Sequence, residues 1–313
     1  MSTPSPNNNI LKGILCASIG AVSWGFSGTC SQYLFMHYEV SSTWLTTVRM
    51  LGAGLLLLLV TVPRQREQVR QLLSDKHDVI QLLFFAVTGL LLCQFAYLSA
   101  IQYSNSGTAA VLQETSILIT SCYMCLKMRK APTPKLILCI ILALSGVFIM
   151  ATSGNIHALV ISPLALFWGM GAAAGASAYP ILSESLVQRW GSRIVTGFGL
   201  FIGGTVFCLA SQAWKLTPQL DGMGIFMVLV IILVGTVGAF TLYLVGIGIL
   251  GPVRTKLIGC LEPLSATVIG AAWLHSKFTK YDLIGFACIL VMVFIYNYQP
   301  KTVKNVMEHN VQV

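Results

Sequence analysis

Apolar runs recur along the whole chain, and their length limits what it can build. A helix of about 20 apolar residues, rising ~1.5 Å per residue, crosses a hydrocarbon core of ~30 Å. Ten such runs are read, near residues 11–36, 44–62, 79–101, 104–127, 135–152, 160–186, 192–214, 223–246, 250–275 and 281–298. The chain is 56% hydrophobic and only 9% charged, with mean hydropathy +0.79, whereas soluble domains carry about 25% charge. A soluble fold has no means of covering that much apolar surface. Membrane strands would read as short alternating segments, and the runs here do not alternate. The expected class is an all-α integral membrane protein with ten transmembrane helices.

Charge sets orientation. With the N-terminus inside, fifteen of the 19 Lys and Arg fall in connections on the cytoplasmic side. Only Lys215, Lys277 and Lys280 fall outside, and Arg49 lies within span two. That bias follows the positive-inside rule and predicts both termini in the cytoplasm of a multi-pass plasma (cell inner) membrane protein. It also accounts for the formal net charge of +9 without a nucleic-acid partner. The longest connection, 63–78, contains "RQREQVRQLLSDKHD" and is predicted to form a cytoplasmic helix at the membrane surface. The N-terminal "MSTPSPNNN" is unlike a cleavable signal, so residues 1–10 read as a polar tail and the first apolar run as the first span. The nine cysteines all fall inside apolar runs, where a thiol packs as a small hydrophobe; Cys122 and Cys125 form a CxxC with no completing ligands nearby in sequence.

Two acids break the apolar pattern. Only ten residues are acidic, yet Glu114 in "LQETSILITSCYM" and Glu262 in "CLEPLSATVIGAAWL" sit mid-run in corresponding parts of the two halves. A carboxylate at bilayer depth costs several kcal/mol and marks a proton, ion or substrate route. The halves themselves correspond: 95–127 parallels 240–277, each passing through a tight turn to a Glu-bearing helix and then to a final span. Five spans per half is odd, so the second copy enters the membrane upside down. The expected units are 11–152 and 153–300, followed by a cytoplasmic tail, 301–313. Two inverted five-helix repeats are a recurrent plan of secondary transporters, with sites near the midplane.

At "AVSWGFSG", "VRM", "YLSAIQYSNSGTAAVLQE" and "YLVGIGILGPVRTKLIGCLEPLSATVIGAAWL" the chain resembles the EamA family of the drug/metabolite transporter superfamily, over essentially all of residues 10–300. The resemblance implies a ten-helix inverted bundle whose helices one, three, four, six, eight and nine surround a central cavity. It also implies transport, mostly export, of small metabolites such as amino acids and their derivatives, purines and drugs. The chain departs from many relatives at the ends of spans four and nine, which read "LKMRKAPT" and "LHSKFT" in place of Gly-Glu.

Within that frame, Glu114 and Glu262 are candidates to bind a proton or an ammonium group, since burial shifts a carboxyl toward switchable protonation. The alternative is structural: either Glu bonds a helix end or pairs with a buried cation such as Arg49. Pro263 follows Glu262 and breaks the helix there, which favours a hinge role for that copy. Trp24, Gln94, Tyr97, Gln113, Trp168, Tyr179 and Tyr243 form the next tier, as groups that orient a ligand or face a substrate ammonium; packing explains any one of them as well. Arg49 is expected about one turn inside span two, snorkelling to the interface or anchoring its helix by pairing, a reading favoured over substrate binding. Pro180 is expected to kink span six beside the cavity. Arg254 and Lys256, at the start of span nine, read as positive-inside anchors or gate residues.

The expected partners are a small-molecule substrate, membrane lipids and, if transport is coupled, protons; the assembly is a monomer or homodimer. No cofactor or metal is expected. The histidines, at 37, 77, 157, 275 and 309, are dispersed, and there is no HExxH, GxSxG or Walker loop, which argues against an enzyme and against a self-contained ATP-driven pump. An uncoupled facilitator or channel of the same fold shares every feature above.

Overall fold

A computed structural model of the chain describes residues 6–127, 129, 131–153, 161–251, 255 and 258–297. Residues 1–5, Lys130, His157, Arg254, Lys256 and the 301–313 tail lie outside the described residues. Among those described, the structure is helical throughout and contains no strand. In chain order the helices are α1 (Pro6–His37), α2 (Ser42–Thr61), α3 (Arg66–Ser74), α4 (Lys76–Tyr103), α5 (Ser106–Lys127), α6 (Pro134–Thr152), α7 (Pro163–Trp190), α8 (Ser192–Ser211), α9 (Gly222–Leu250), α10 (Leu261–Leu274) and α11 (Lys280–Asn297).

The starts of several helices are written in the sequence. Ser41 caps α2 by accepting from the Trp44 N–H at 3.1 Å, and Asn105 caps α5 through Thr108 at 2.8 Å. Thr133 caps α6 just before Pro134, whose missing N–H is harmless in a first turn. Asp221 caps α9 through Gly224 at 2.8 Å. The connection read as a surface helix does contain one, α3, which buries Val69 and Leu72.

Among the described residues, eight helices are long and apolar enough to cross a membrane: α1 from Ile10, α2, and α4 to α9. Two of the ten runs behave differently from the reading. The fourth is two helical segments, Ser106–Glu114 and Ser116–Lys127, divided at Thr115. There the Thr115 N–H and hydroxyl both bond the Leu112 carbonyl, at 3.1 and 2.7 Å, so the side chain competes with the regular ladder and tightens the turn. In the ninth run Thr255 and residues 258–259 are helical, a turn falls at Cys260, and the continuous helix after it, Leu261–Leu274, has 14 residues, about 21 Å of rise. Pro263 is the third residue of that helix, three residues after the turn. The last helix, α11, has 18 residues.

Packing is pairwise. α1 lies on α9 and α10, α2 on α8, α4 on α7, α5 on α10 and α7, and α6 on α11. Small residues set the closest approaches. A Cβ on Gly146 would meet the Gly285 carbonyl oxygen at 2.9 Å, and one on Gly285 would meet that of Gly146 at 2.7 Å. The α6–α11 contact is therefore made by two glycines facing one another, the close approach that small residues permit between membrane helices. Neither α4 nor α9 is regular: each carries a π-helical segment, Phe85–Leu91 and Leu233–Gly238. Such segments insert an extra residue into a turn and rotate the remainder of the helix.

Candidate functional site

A cavity of about 500 Å³ lies between the helices, within the range that holds a small metabolite. It takes Trp24 from α1, Arg49 from α2, Leu90, Cys93, Gln94 and Tyr97 from α4, and Gln113, Glu114, Ser116, Ile117 and Thr120 from α5. The opposite wall is Ala176, Tyr179 and Pro180 of α7, Phe240 and Tyr243 of α9, Glu262 of α10 and Tyr296 of α11.

The geometry arises from the irregular elements. The turn at Thr115 leaves Glu114 as the last residue of its helical segment, 6% exposed. Behind it, the Ser177 hydroxyl of α7 donates to the Ser116 carbonyl at 2.9 Å, which ties the divided helix to its neighbour. Glu262 occupies the first turn of α10, where backbone N–H groups favour a negative charge. Glu114 and Glu262 therefore sit in different backbone settings, one at the C-terminal end of a segment and one at an N-terminus. In α7 the helix runs unbroken through Pro180, but proline has no N–H to give the Ala176 carbonyl one turn earlier, and both residues face the cavity.

Arg49 corrects the sequence reading. It is the eighth residue of α2, about two turns in at ~3.6 residues per turn, and only 4% exposed. Its Nε donates to the Thr236 Oγ1 at 2.9 Å, inside the π-helical segment of α9. Thr236 in turn donates to the Ile231 carbonyl at 3.0 Å, five residues back, so the π-turn places that hydroxyl. Arg49 Nη1 is buried with no hydrogen-bond partner among the described residues, and so is the Tyr97 hydroxyl. Glu262 acts electrostatically on both.

The aromatic wall is packed. Trp24 meets Phe240 edge-on at 5.2 Å and Tyr243 at 4.7 Å between ring centroids. The Tyr243 hydroxyl donates to the Thr255 carbonyl at 3.0 Å. Tyr179 lies 5.5 Å from Phe85.

Of the residues picked from sequence, Trp24, Arg49, Gln94, Tyr97, Gln113, Glu114, Tyr179, Pro180, Tyr243 and Glu262 share this one cavity. Two do not line it. Trp168 packs edge-on against Phe95 and Phe167 at 5.0 and 5.1 Å, and Pro263 is buried within α10. Sequence reading missed Cys93, Thr120, Phe240 and Tyr296 as lining residues, and Thr236 as the partner of Arg49. A signal for Thr236 existed: a hydroxyl residue between glycines in "VGTVG" in the middle of an otherwise aliphatic run.

The cavity is asymmetric along the bundle. None of its described lining comes from α1 beyond Trp24 or from α10 beyond Glu262; it extends instead toward Thr120 and Tyr296. The end it avoids is fastened by polar ties. Gln32 of α1 accepts from the Ser106 N–H at 2.9 Å and donates to Ser276 at 2.8 Å, joining α1, α5 and the end of α10. Ser106 also meets Gln32 and Thr29 through its hydroxyl, at 3.0 and 3.3 Å. The Ser42 N–H donates to Gln102 at 3.0 Å, and the Tyr38 hydroxyl donates to Asp221. At the other end, Arg189 of α7 donates to both Asp78 oxygens of α4 at 2.9 and 3.0 Å and Trp190 to Asp78 at 2.7 Å, and Ser121 of α5 donates to the Tyr296 hydroxyl of α11 at 2.8 Å.

The EamA-like transporter family model matches residues 11–152 and again residues 163–298. A Salmonella typhimurium protein, named as the uncharacterized inner membrane transporter YicL, is 33% identical over 284 residues, covering 91% of this chain and 94% of that protein. A solved protein structure superposes with a TM-score of 0.57 at 16% identity, over 94% of this chain and 97% of that one; at that identity the likeness is one of fold.

Proposed function

The chain belongs to the EamA-like transporter family and is therefore a multi-pass membrane transporter, not an enzyme; from that premise we propose that it carries small metabolites by alternating access through the cavity that holds Glu114 and Glu262. The substrates are amino acids or related compounds and drugs, moved outward, with a proton exchanged at Glu114. Ten spans complete the bundle, with α10 and α11 as the ninth and tenth, in two inverted five-helix repeats.

The observation that carries this reading is the cavity: polar and aromatic groups from eight helices converge on it, and one end of the bundle is fastened while the lining runs toward the other. That is the arrangement of a carrier open to one side. With the N-terminus in the cytoplasm, the open side is cytoplasmic, as an exporter awaiting substrate requires. The packing pairs support the inverted repeat. Numbering the spans one to ten, span one meets eight and three meets six, while two meets seven, four meets nine and five meets ten. A two-fold axis between halves produces this pairing. The π-helical segments fit it too, since each falls in the third span of its half.

Purified protein in liposomes tests the proposal. With an imposed pH gradient, labelled substrate accumulates if transport is proton-coupled. Equilibration without accumulation under every gradient removes the coupling and leaves a facilitator.

A further inference from the structure

Arg49 is a buried cation for which a purely structural role leaves one part unexplained. Thr236 accounts for Nε at 2.9 Å. Nη1, by contrast, is buried with no hydrogen-bond partner among the described residues, on a side chain that lines the cavity. A charged N–H left unmatched in a low-dielectric interior is costly. The second unmatched group in the same wall is the hydroxyl of Tyr97, 5% exposed, on the neighbouring helix α4. These are two buried donors without acceptors, on side chains that line one cavity, and an oxygen anion bound there would satisfy them.

Resting on the transporter reading above, we infer that Arg49 and Tyr97 form the subsite for the substrate's carboxylate. Charge balance favours a carboxylate over a phosphate. The charged groups lining the cavity among the described residues are Arg49, Glu114 and Glu262, one cation against two carboxyls. Beside two carboxyls each further negative charge adds repulsion, so a monoanion facing the one guanidinium is opposed less than a dianion. The guanidinium edge also matches carboxylate geometry, and its hydrogen bonds are charge-assisted. Thr236 is a positioning residue: it accepts from Nε at 2.9 Å and so holds the guanidinium in place. The pseudo-equivalent place in the other half holds no cation, because Gly197 occupies the position in α8 that Arg49 holds in α2 when the Glu114 and Glu262 registers are superposed. The subsite is thus one-sided, and it orients the substrate with its carboxylate toward α2 and α4.

The test measures apparent thermal stability of the purified full-length protein against standard amino acids, each beside its amide and its decarboxylated amine, with aminoalkylphosphonates as a further arm. A ligand that binds only the folded state raises that stability. The expected result is stabilisation by one or more amino acids, with the matching amide and amine bound about tenfold or more weakly. Arg49→Met should remove the preference for the acid over its amide, and Arg49→Lys should keep part of it. The wild-type comparison needs no variant, so the inference remains open to refutation even if Arg49 variants fold poorly. Equal binding of acid and amide overturns the subsite and leaves the transporter reading standing, as does an acid preference that survives in Arg49→Met. Tighter binding of phosphonates overturns the carboxylate assignment. If no probe binds, the subsite falls; the transporter reading falls with it only if proteoliposomes also fail to move any substrate.

Discussion

At the scale of single residues, the two glutamates are not equivalent. Glu262 has a first-turn position that suits a fixed negative charge, whereas Glu114 lies at the turn that divides α5, beside Gln113 and almost wholly buried. This contrast is why the proposed proton exchange is put at Glu114 and not at Glu262. Glu114→Gln keeps the shape and removes the titration; it should fold, bind substrate and lose the pH-driven component of transport, read as accumulation against a pH gradient. Unchanged pH dependence would remove that role. At the fastened end, the hydrogen bond from Tyr38 holds the Asp221 carboxyl below its ordinary value, and the same bond pushes the Tyr38 phenol up to about 12. The carboxyl's contribution is present above its unfolded pKa and fades as pH falls through its lowered folded value. The phenol's contribution is complete below about 10 and is lost as pH rises through about 12. In Tyr38→Phe, Asp221 should titrate closer to an ordinary carboxyl, measured by carbon NMR of the labelled side chain; an unmoved titration would mean that the Gly224 and Met223 N–H groups hold it alone.

Among elements, departures from regular helix build the site. The π-helical segment of α9 places Thr236 against Arg49, and the turn at Thr115 places Glu114. Neither is readable from hydropathy, because a π-turn or a local competition by one threonine leaves the run of apolar residues unchanged. The burial of Arg49 is hidden for a related reason: its partner is 187 residues away, and no spacing within α2 reveals it. The helices themselves are legible because length and composition decide them, and so are the acids, because a carboxyl in an apolar run has few explanations. The glycine contact between α6 and α11 makes a stability prediction. Gly285→Leu forces side-chain atoms into the Gly146 backbone and should cost on the order of 1–3 kcal/mol or more, seen as a lower midpoint in detergent unfolding. Gly222→Ala, where nothing lies within 4 Å, should change little. Equal effects would contradict the packing.

For the whole molecule, the proposed alternating access makes the cavity and the fastened end together one state of its cycle. The Gln32–Ser106–Ser276 ties bridge α1, α5 and α10, so opening that end requires breaking hydrogen bonds that bind the two halves of the chain. The composition and the repeated Glu-bearing segments make a membrane carrier legible from the sequence, whereas the shape of its cavity is not. Tyr296, for example, enters the wall from the far end of the chain, and only tertiary packing brings it beside Thr120. The most direct test of the central claim is uptake of a labelled amino-acid mixture by proteoliposomes under an imposed pH gradient, with wild-type protein and Glu114→Gln side by side. The account predicts accumulation above equilibrium for wild type and none for the variant. Equal accumulation by both, or none by either in vesicles shown to hold their gradient, would contradict it.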